Sequence, residues 1–91
     1  MKNENIPEMI HQLSRLKWAC RRGMLELDVL LGNFLENGYA RLSDAEKHIF
    51  VKLLSCTDPE LFTWLMGAAE PDDEELRQII RKIKHEPKPR L

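Results

Sequence analysis

Apolar residues recur along this chain at helical spacing, and the alternation that marks a half-buried strand is nearly absent. Met9, Leu13, Leu16 and Cys20 stand at i, i+4, i+7 and i+11, one face of a helix. Pro7 can open that helix from its first turn, where a missing N–H is no loss. The spacing predicts a helix over residues 7–22, ended or sharply bent by Gly23. A second is predicted over 24–37, with Met24, Leu27, Leu30, Leu31 and Phe34 as its stripe. Gly38 follows at the C′ position, where positive φ is common. Gly32 inside this helix costs about 1 kcal/mol relative to alanine and is expected to mark close packing.

Three more helices follow from their start signals. Ser43 and Glu46 form a capping box for a helix over 43–55, whose apolar positions are Ile49, Phe50, Leu53 and Leu54. Asp58, Pro59 and Glu60 read as N-cap, N1 proline and a dipole-favoured acid for a helix over 58–68. Leu61, Trp64, Leu65 and Ala68 are its expected buried face. Asp72, Asp73, Glu74 and Glu75 open the last helix, over 72–84, with Leu76, Ile79, Ile80 and Ile83 as its stripe and Arg81, Lys82 and Lys84 near its end. Residues 85–91 hold two prolines and are expected to fray. The sum is an all-α protein, a single compact five-helix bundle over residues 1–91 with mostly antiparallel neighbours.

Composition narrows what such a bundle can do. Ninety-one residues leave room for one economical core, because a chain of this size buries only about 60–65% of its unfolded surface. Enclosing a large cofactor as well would strip that core, so catalysis by this chain alone is not expected. Fourteen basic and fifteen acidic residues give a formal charge of −1, which argues against a general nucleic-acid binder. Cys20 and Cys56 form no CxxC pair and are expected as reduced thiols in or near the core. His11, His48 and His85 show no metal-ligand spacing, so no metal site is expected. The first ten residues, MKNENIPEMI, carry Glu4 and Glu8 and resemble neither a signal nor a transit peptide. Leu61 to Ala69, the longest uncharged stretch, is far below the roughly 20 residues that span a bilayer. A cytoplasmic protein without membrane insertion is the expectation.

One segment breaks the pattern. In residues 15–28, RLKWACRRGMLELD, Trp18 falls about 180° from Met9 on the first helix's wheel, and Arg15 and Arg22 flank it at i−3 and i+4. A large aromatic between two guanidinium groups, facing away from the core, fits an interaction surface, since Trp and Arg are enriched at binding hot spots. The plainer alternative packs Trp18 under the last helix or the N-terminal arm, with both arginines stacked on it. Gly23 has two uses: positive φ in a tight helix–helix turn, and bare backbone that another surface can approach. Arg22 and Glu26 bracket it with opposite charge, able to pair with each other or with a partner. Spacing alone favours the plainer account here, a capping glycine beside a solvated ion pair.

At this segment a resemblance enters. WACRRGMLELD, with an RGxxE core at Arg22, Gly23 and Glu26, resembles the signature of the succinate dehydrogenase FAD assembly factors. The likeness continues through Phe34, Tyr39, LSDAEKHIFVKLLSCTDPELFTWLMG and the last helix, covering about residues 15–84. RGxxE alone is weakly specific; the extended run with DPELFTWL is far more so. The resemblance implies a five-helix cytosolic bacterial protein that binds the flavoprotein subunit of succinate dehydrogenase, and often of fumarate reductase. It implies covalent attachment of FAD to a histidine of that subunit, with no FAD held stably by the factor itself and the bond-forming chemistry left to flavin and partner. It also implies a partner-binding set of Arg15, Trp18, Arg22, Gly23, Met24, Glu26 and Asp28. In that set Arg22 engages carboxylates or carbonyls of the flavoprotein, Gly23 permits close approach, and Glu26 orients Arg22 or accepts from the partner. A monomer is expected. The rival readings are a small helical regulator, antitoxin-like or nucleic-acid-binding through Arg15, Lys17, Arg21 and Arg22, and a flavin carrier. The acidic net charge counts against the first, and no nucleotide-binding motif supports the second.

Overall fold

In the computed structural model, which describes residues 13–87, the chain folds as α1 (Leu13–Ala19), α2 (Leu25–Asn37), a 3₁₀ turn (Tyr39–Arg41), α3 (Asp44–Leu54), α4 (Asp58–Leu65) and α5 (Glu74–His85). No strand occurs among the described residues, and the protein is all-α. The expected start of the first helix, with Pro7 and Met9, lies outside the described residues.

The core assembles around α5. Its stripe of Leu76, Ile79, Ile80 and Ile83 is buried, and it packs against α2, α3 and α4. From α2 come Leu27, Leu30, Leu31, Phe34 and Leu35; from α3 come Phe50, Val51, Leu53 and Leu54. Phe50 sits between Phe34 and Tyr39, with ring centroids 5.5 and 5.4 Å away in tilted pairs. Burying a side chain of this size contributes roughly 1.5–3 kcal/mol, so these few helices carry most of the stability. α1 adds Leu16 and Cys20 against α2. Leu13, expected on the same stripe, is instead 58% exposed.

The caps refine the boundaries. Ser43 and Glu46 form the expected box at α3, each satisfying a backbone N–H of the other. At α4 the N-cap is Thr57 and not Asp58: Thr57 and Glu60 make a second box, which moves Pro59 one position into the helix. That shift releases the Asp58 carboxylate for another partner. α4 ends at Leu65, where the Gly67 N–H donates to the Trp64 carbonyl and the Ala68 N–H to the Thr63 carbonyl. This Schellman closure needs the left-handed backbone that Gly67 adopts at φ +87°. It stops the helix short of Ala68, which is exposed; Trp64, within the helix, is half-buried against the core.

Two glycines act differently from their sequence expectation. Gly38 has φ −118°, so positive φ is not its purpose. A Cβ there would lie 2.6 Å from Phe34 Cε1 and 2.8 Å from Glu86 Oε1, so the glycine admits a buried ring and a carboxylate to the same spot. Gly32, expected in close packing, has nothing within 4 Å of a Cβ position. The start of the expected frayed tail is also held. His85 closes α5, buried Glu86 receives the Arg41 Nη2 donor at 2.7 Å, and Asn33 Nδ2 donates to the Pro87 carbonyl at 2.8 Å.

Gly38→Ala is predicted to destabilise the protein by about 1–3 kcal/mol, the usual cost of overpacking. Gly32→Ala is predicted to be neutral or to stabilise by up to about 1 kcal/mol through helix propensity. Urea melts of the two variants check the contrast; equal effects would contradict it.

Candidate functional site

The unusual segment is built around a turn, not a helix face. α1 ends at Ala19; Cys20 N–H still donates to the Leu16 carbonyl at 3.0 Å, and Arg21 N–H donates to the Trp18 carbonyl at 3.1 Å. The chain then unwinds through Arg22 and Gly23, which takes φ +83°, before α2 begins. The expected helix to residue 22 therefore stops three residues early, and the cause is visible in the hydrogen bonds of Arg22. Its Nε donates to Asp58 Oδ1 at 2.9 Å, Nη1 to the Ala19 carbonyl at 2.9 Å and Nη2 to the Cys56 carbonyl at 2.8 Å. Its backbone N–H donates to Asp28 Oδ1 at 2.6 Å. No regular helix through residue 22 is needed to satisfy these donors.

Arg22 thus does not stand beside Trp18 on the outward face. Its side chain is 16% exposed, against 40% for Asp58, and it pins the α1–α2 turn to the α3–α4 connection. Asp58, not Glu26, orients the guanidinium. Asp28 is half-buried and steadies the turn, and Met24 is half-buried against the core.

What faces solvent is the rest of the set. Trp18 is 75% exposed and does not pack under α5; Arg15, Gly23 and Glu26 are exposed with it. A Cβ at Gly23 would meet nothing within 4 Å, so its backbone is open to an approaching surface. Glu26, in the first turn of α2, makes no hydrogen bond or ion pair with a described residue, so its carboxylate is free to accept from outside. Beside Trp18, α1 and α2 enclose an open groove of about 660 Å³, lined by Lys17, Arg21, Asp28, Val29 and Gly32 among others. Gly32 leaves its floor low, which accounts for the empty space above that residue.

Two contributors were missed. Leu25, 74% exposed next to Glu26, extends the apolar part of the surface; it lies about 200° from Leu27 on the α2 wheel, a signal the sequence contains. Asp58 carries the signal of an N-cap, a position that Thr57 takes instead. Yet TDPE repeats the S/T-x-x-E pattern of SDAE, and recognising two boxes would have left its carboxylate unassigned.

The thiols are not part of this surface chemistry. Both cysteines are free; burial pushes Cys20 up to about 12 and raises Cys56 as well, so neither is a ready thiolate at neutral pH. Among the described residues no group of three or more His, Cys, Asp or Glu is placed to hold a metal ion, and no helix is long and apolar enough to cross a membrane.

Asp58→Asn is predicted to cost about 1 kcal/mol, because the pair is partly screened by solvent. Arg22→Ala is predicted to cost more, about 1.5–3 kcal/mol, since it leaves one carboxylate and two carbonyls without their donor. In both variants amide hydrogen exchange should quicken at residues 20–24 while α5 stays protected. Unchanged exchange in the turn would show that Arg22 does not hold it.

The chain matches the family described as "Flavinator of succinate dehydrogenase" over residues 14–87. It is 50% identical over 74 residues to the FAD assembly factor SdhE of Idiomarina loihiensis, covering 81% of this chain and 82% of that one. It is 49% identical over 81 residues to the SdhE of Yersinia pseudotuberculosis, covering 89% and 92%. A third relative, the SdhE of Shewanella oneidensis, is 50% identical over 72 residues, covering 79% and 88%. The matched span contains the Arg22 turn, the Trp18 face and every helix from α2 to α5, so the chain belongs to the family of succinate dehydrogenase flavinators.

Proposed function

We propose that this protein is a non-catalytic assembly factor that binds the flavoprotein subunit of succinate dehydrogenase and promotes covalent attachment of FAD to it. The single observation that carries the reading is the pinned turn. In a chain of this family, Arg22 is tied down by Asp58 and two carbonyls, and Gly23, with a free carboxylate and an indole nearby, is offered to solvent. A turn held this way loses little further freedom when a partner docks, which keeps more of the contact energy as affinity.

The division of labour follows. Trp18 and Leu25 supply apolar area, Gly23 lets partner backbone come close, and Glu26 accepts from a partner donor. Arg22, Asp28 and Met24 act from behind, holding the shape of the turn. The docked factor favours the conformation of the flavoprotein in which its histidine and the flavin are aligned, a positioning effect on chemistry that the flavin and the subunit perform. FAD is held by the flavoprotein and not stably by this chain. The same surface serves the flavoprotein subunit of fumarate reductase, and the factor acts as a monomer in the bacterial cytoplasm.

The test is complementation of cells lacking their own factor, read by in-gel flavin fluorescence of the flavoprotein subunit. Gly23→Arg adds bulk in open space at φ +83°, so the strain is local; it should stay largely helical and lose most of the fluorescence. Trp18→Ala and Glu26→Ala should each reduce fluorescence with little change in melting temperature, and His48→Ala should leave it near the wild-type level. Full fluorescence with folded Gly23→Arg protein would remove the turn from the mechanism.

A further inference from the structure

We infer that the Trp18 face docks onto an acidic patch of the partner that also carries an apolar recess, and that Arg15, Lys17 and Arg21 steer this encounter. The inference rests on the reading just proposed and names the chemistry of the surface that the factor meets.

The observation is where ion pairs are and are not made. Arg22, Arg41, Lys52, Arg77, Arg81 and Lys82 each meet a carboxylate, and Lys47 lies over the Tyr39 ring at 5.3 Å. Arg15, Lys17 and Arg21 meet none among the described residues, and all three are exposed. Of the two other described lysines and arginines without one, Lys47 faces the Tyr39 ring, and Lys84 lies at the far end of α5, 3.5 Å from the Cβ position of Gly67. Among the described residues, three of the five lysines and arginines without a carboxylate thus stand on α1 and the turn after it, in a chain whose formal charge is −1.

These cations surround the exposed indole. Lys17 and Arg21 line the α1–α2 groove on one side of Trp18. Arg15 lines a shallower depression of about 420 Å³ on the other, with Ser14 and Ala19. None of them stabilises the fold through a partner, while an exposed tryptophan between them leaves a large apolar area in water. Burying the indole in a recess rimmed by carboxylates answers both features. It pairs the charges at the rim and desolvates the ring at the centre, the arrangement of a binding hot spot.

The groove also says which anion is suited. Its α2 wall carries Asp28 and Glu36, and Glu26 is free nearby. A uniform polyanion such as a nucleic acid would be attracted by α1 and repelled by α2. A protein patch of mixed groups can place carboxylates against α1 and a donor against Glu26. Cations at the rim of such an interface act mainly on the association rate and its salt dependence.

The test measures association of the purified chain with the purified flavoprotein subunit by stopped flow, between about 20 mM and about 300 mM salt. For the wild type the association rate constant should fall about tenfold across that range. The double variant Lys17→Glu/Arg21→Glu should associate about tenfold more slowly at low salt, with little change in dissociation and a flattened salt dependence. Trp18→Ala should mainly speed dissociation. Lys84→Glu, a single charge reversal elsewhere, should match the wild type, whereas Lys17→Glu alone should already slow association. A double variant within twofold of the wild type, or a salt-independent wild-type rate, would overturn the steering while leaving the proposed function in place. A wild-type protein that does not bind the subunit at all would overturn both. Retention of a 20-nucleotide duplex at about 150 mM salt, lost in the double variant, would reassign these cations to nucleic acid.

Discussion

The guanidinium of Arg22 reaches one carbonyl at the end of α1, another in the connection after α3, and a carboxylate in the first turn of α4. The side chain is largely covered, and its guanidinium is a rigid, planar fork of donors. Its fork must therefore find acceptors in fixed directions, and the chain around it bends to supply them. α1, described from Leu13, ends at Ala19, whose carbonyl Arg22 reaches. It is held by the burial of Leu16 and Cys20 and by the Arg22 contact with its last carbonyl. The geometry of the exposed face thus depends on an interaction made behind it.

That arrangement explains how so small a protein offers a defined surface. The core elements α2 to α5 are fastened by apolar stripes, two capping boxes and the Arg41–Glu86 clasp. The segment over residues 15–28 is anchored by Leu16, Cys20 and Leu27, and its turn is fixed by the polar contacts of Arg22. Gly23 tolerates the left-handed backbone that the turn needs and presents no side chain to a partner. One residue type thus meets the folding requirement of the turn and leaves its backbone open to solvent.

Much of this was legible in the sequence, and the limits have physical causes. The stripe of α5 was read residue for residue, because a 3.6-residue period with four branched or long aliphatic side chains admits no other face. The box at Ser43 was equally plain. Trp18 was placed outward by the same wheel argument, and the structure agrees. Arg22 falls on that wheel too, but in the structure it turns inward to Asp58 and is largely covered. Periodicity continues a helix until something stops it; Gly23 marks the turn locally, but the Arg22 contact with Asp58, thirty-six positions away, is one that no local pattern encodes. Gly38 shows the same limit: its position after a helix suggested positive φ, whereas its role is to make room for Phe34 and Glu86, a tertiary fact. Glu86 was read as tail because the prolines near it signal chain ends, and its burial follows from Arg41 across the fold.

The central claim is that this chain raises the rate of flavin attachment to another protein without becoming flavinylated itself. Purified protein can be titrated into purified flavoprotein subunit and FAD, with acid-stable flavin followed separately on each chain. The account predicts that acid-stable flavin on the subunit forms faster as the factor is added and saturates as the subunit is filled with it, with none on the factor. An unchanged rate at saturating factor, or acid-stable flavin carried by this chain, would contradict it.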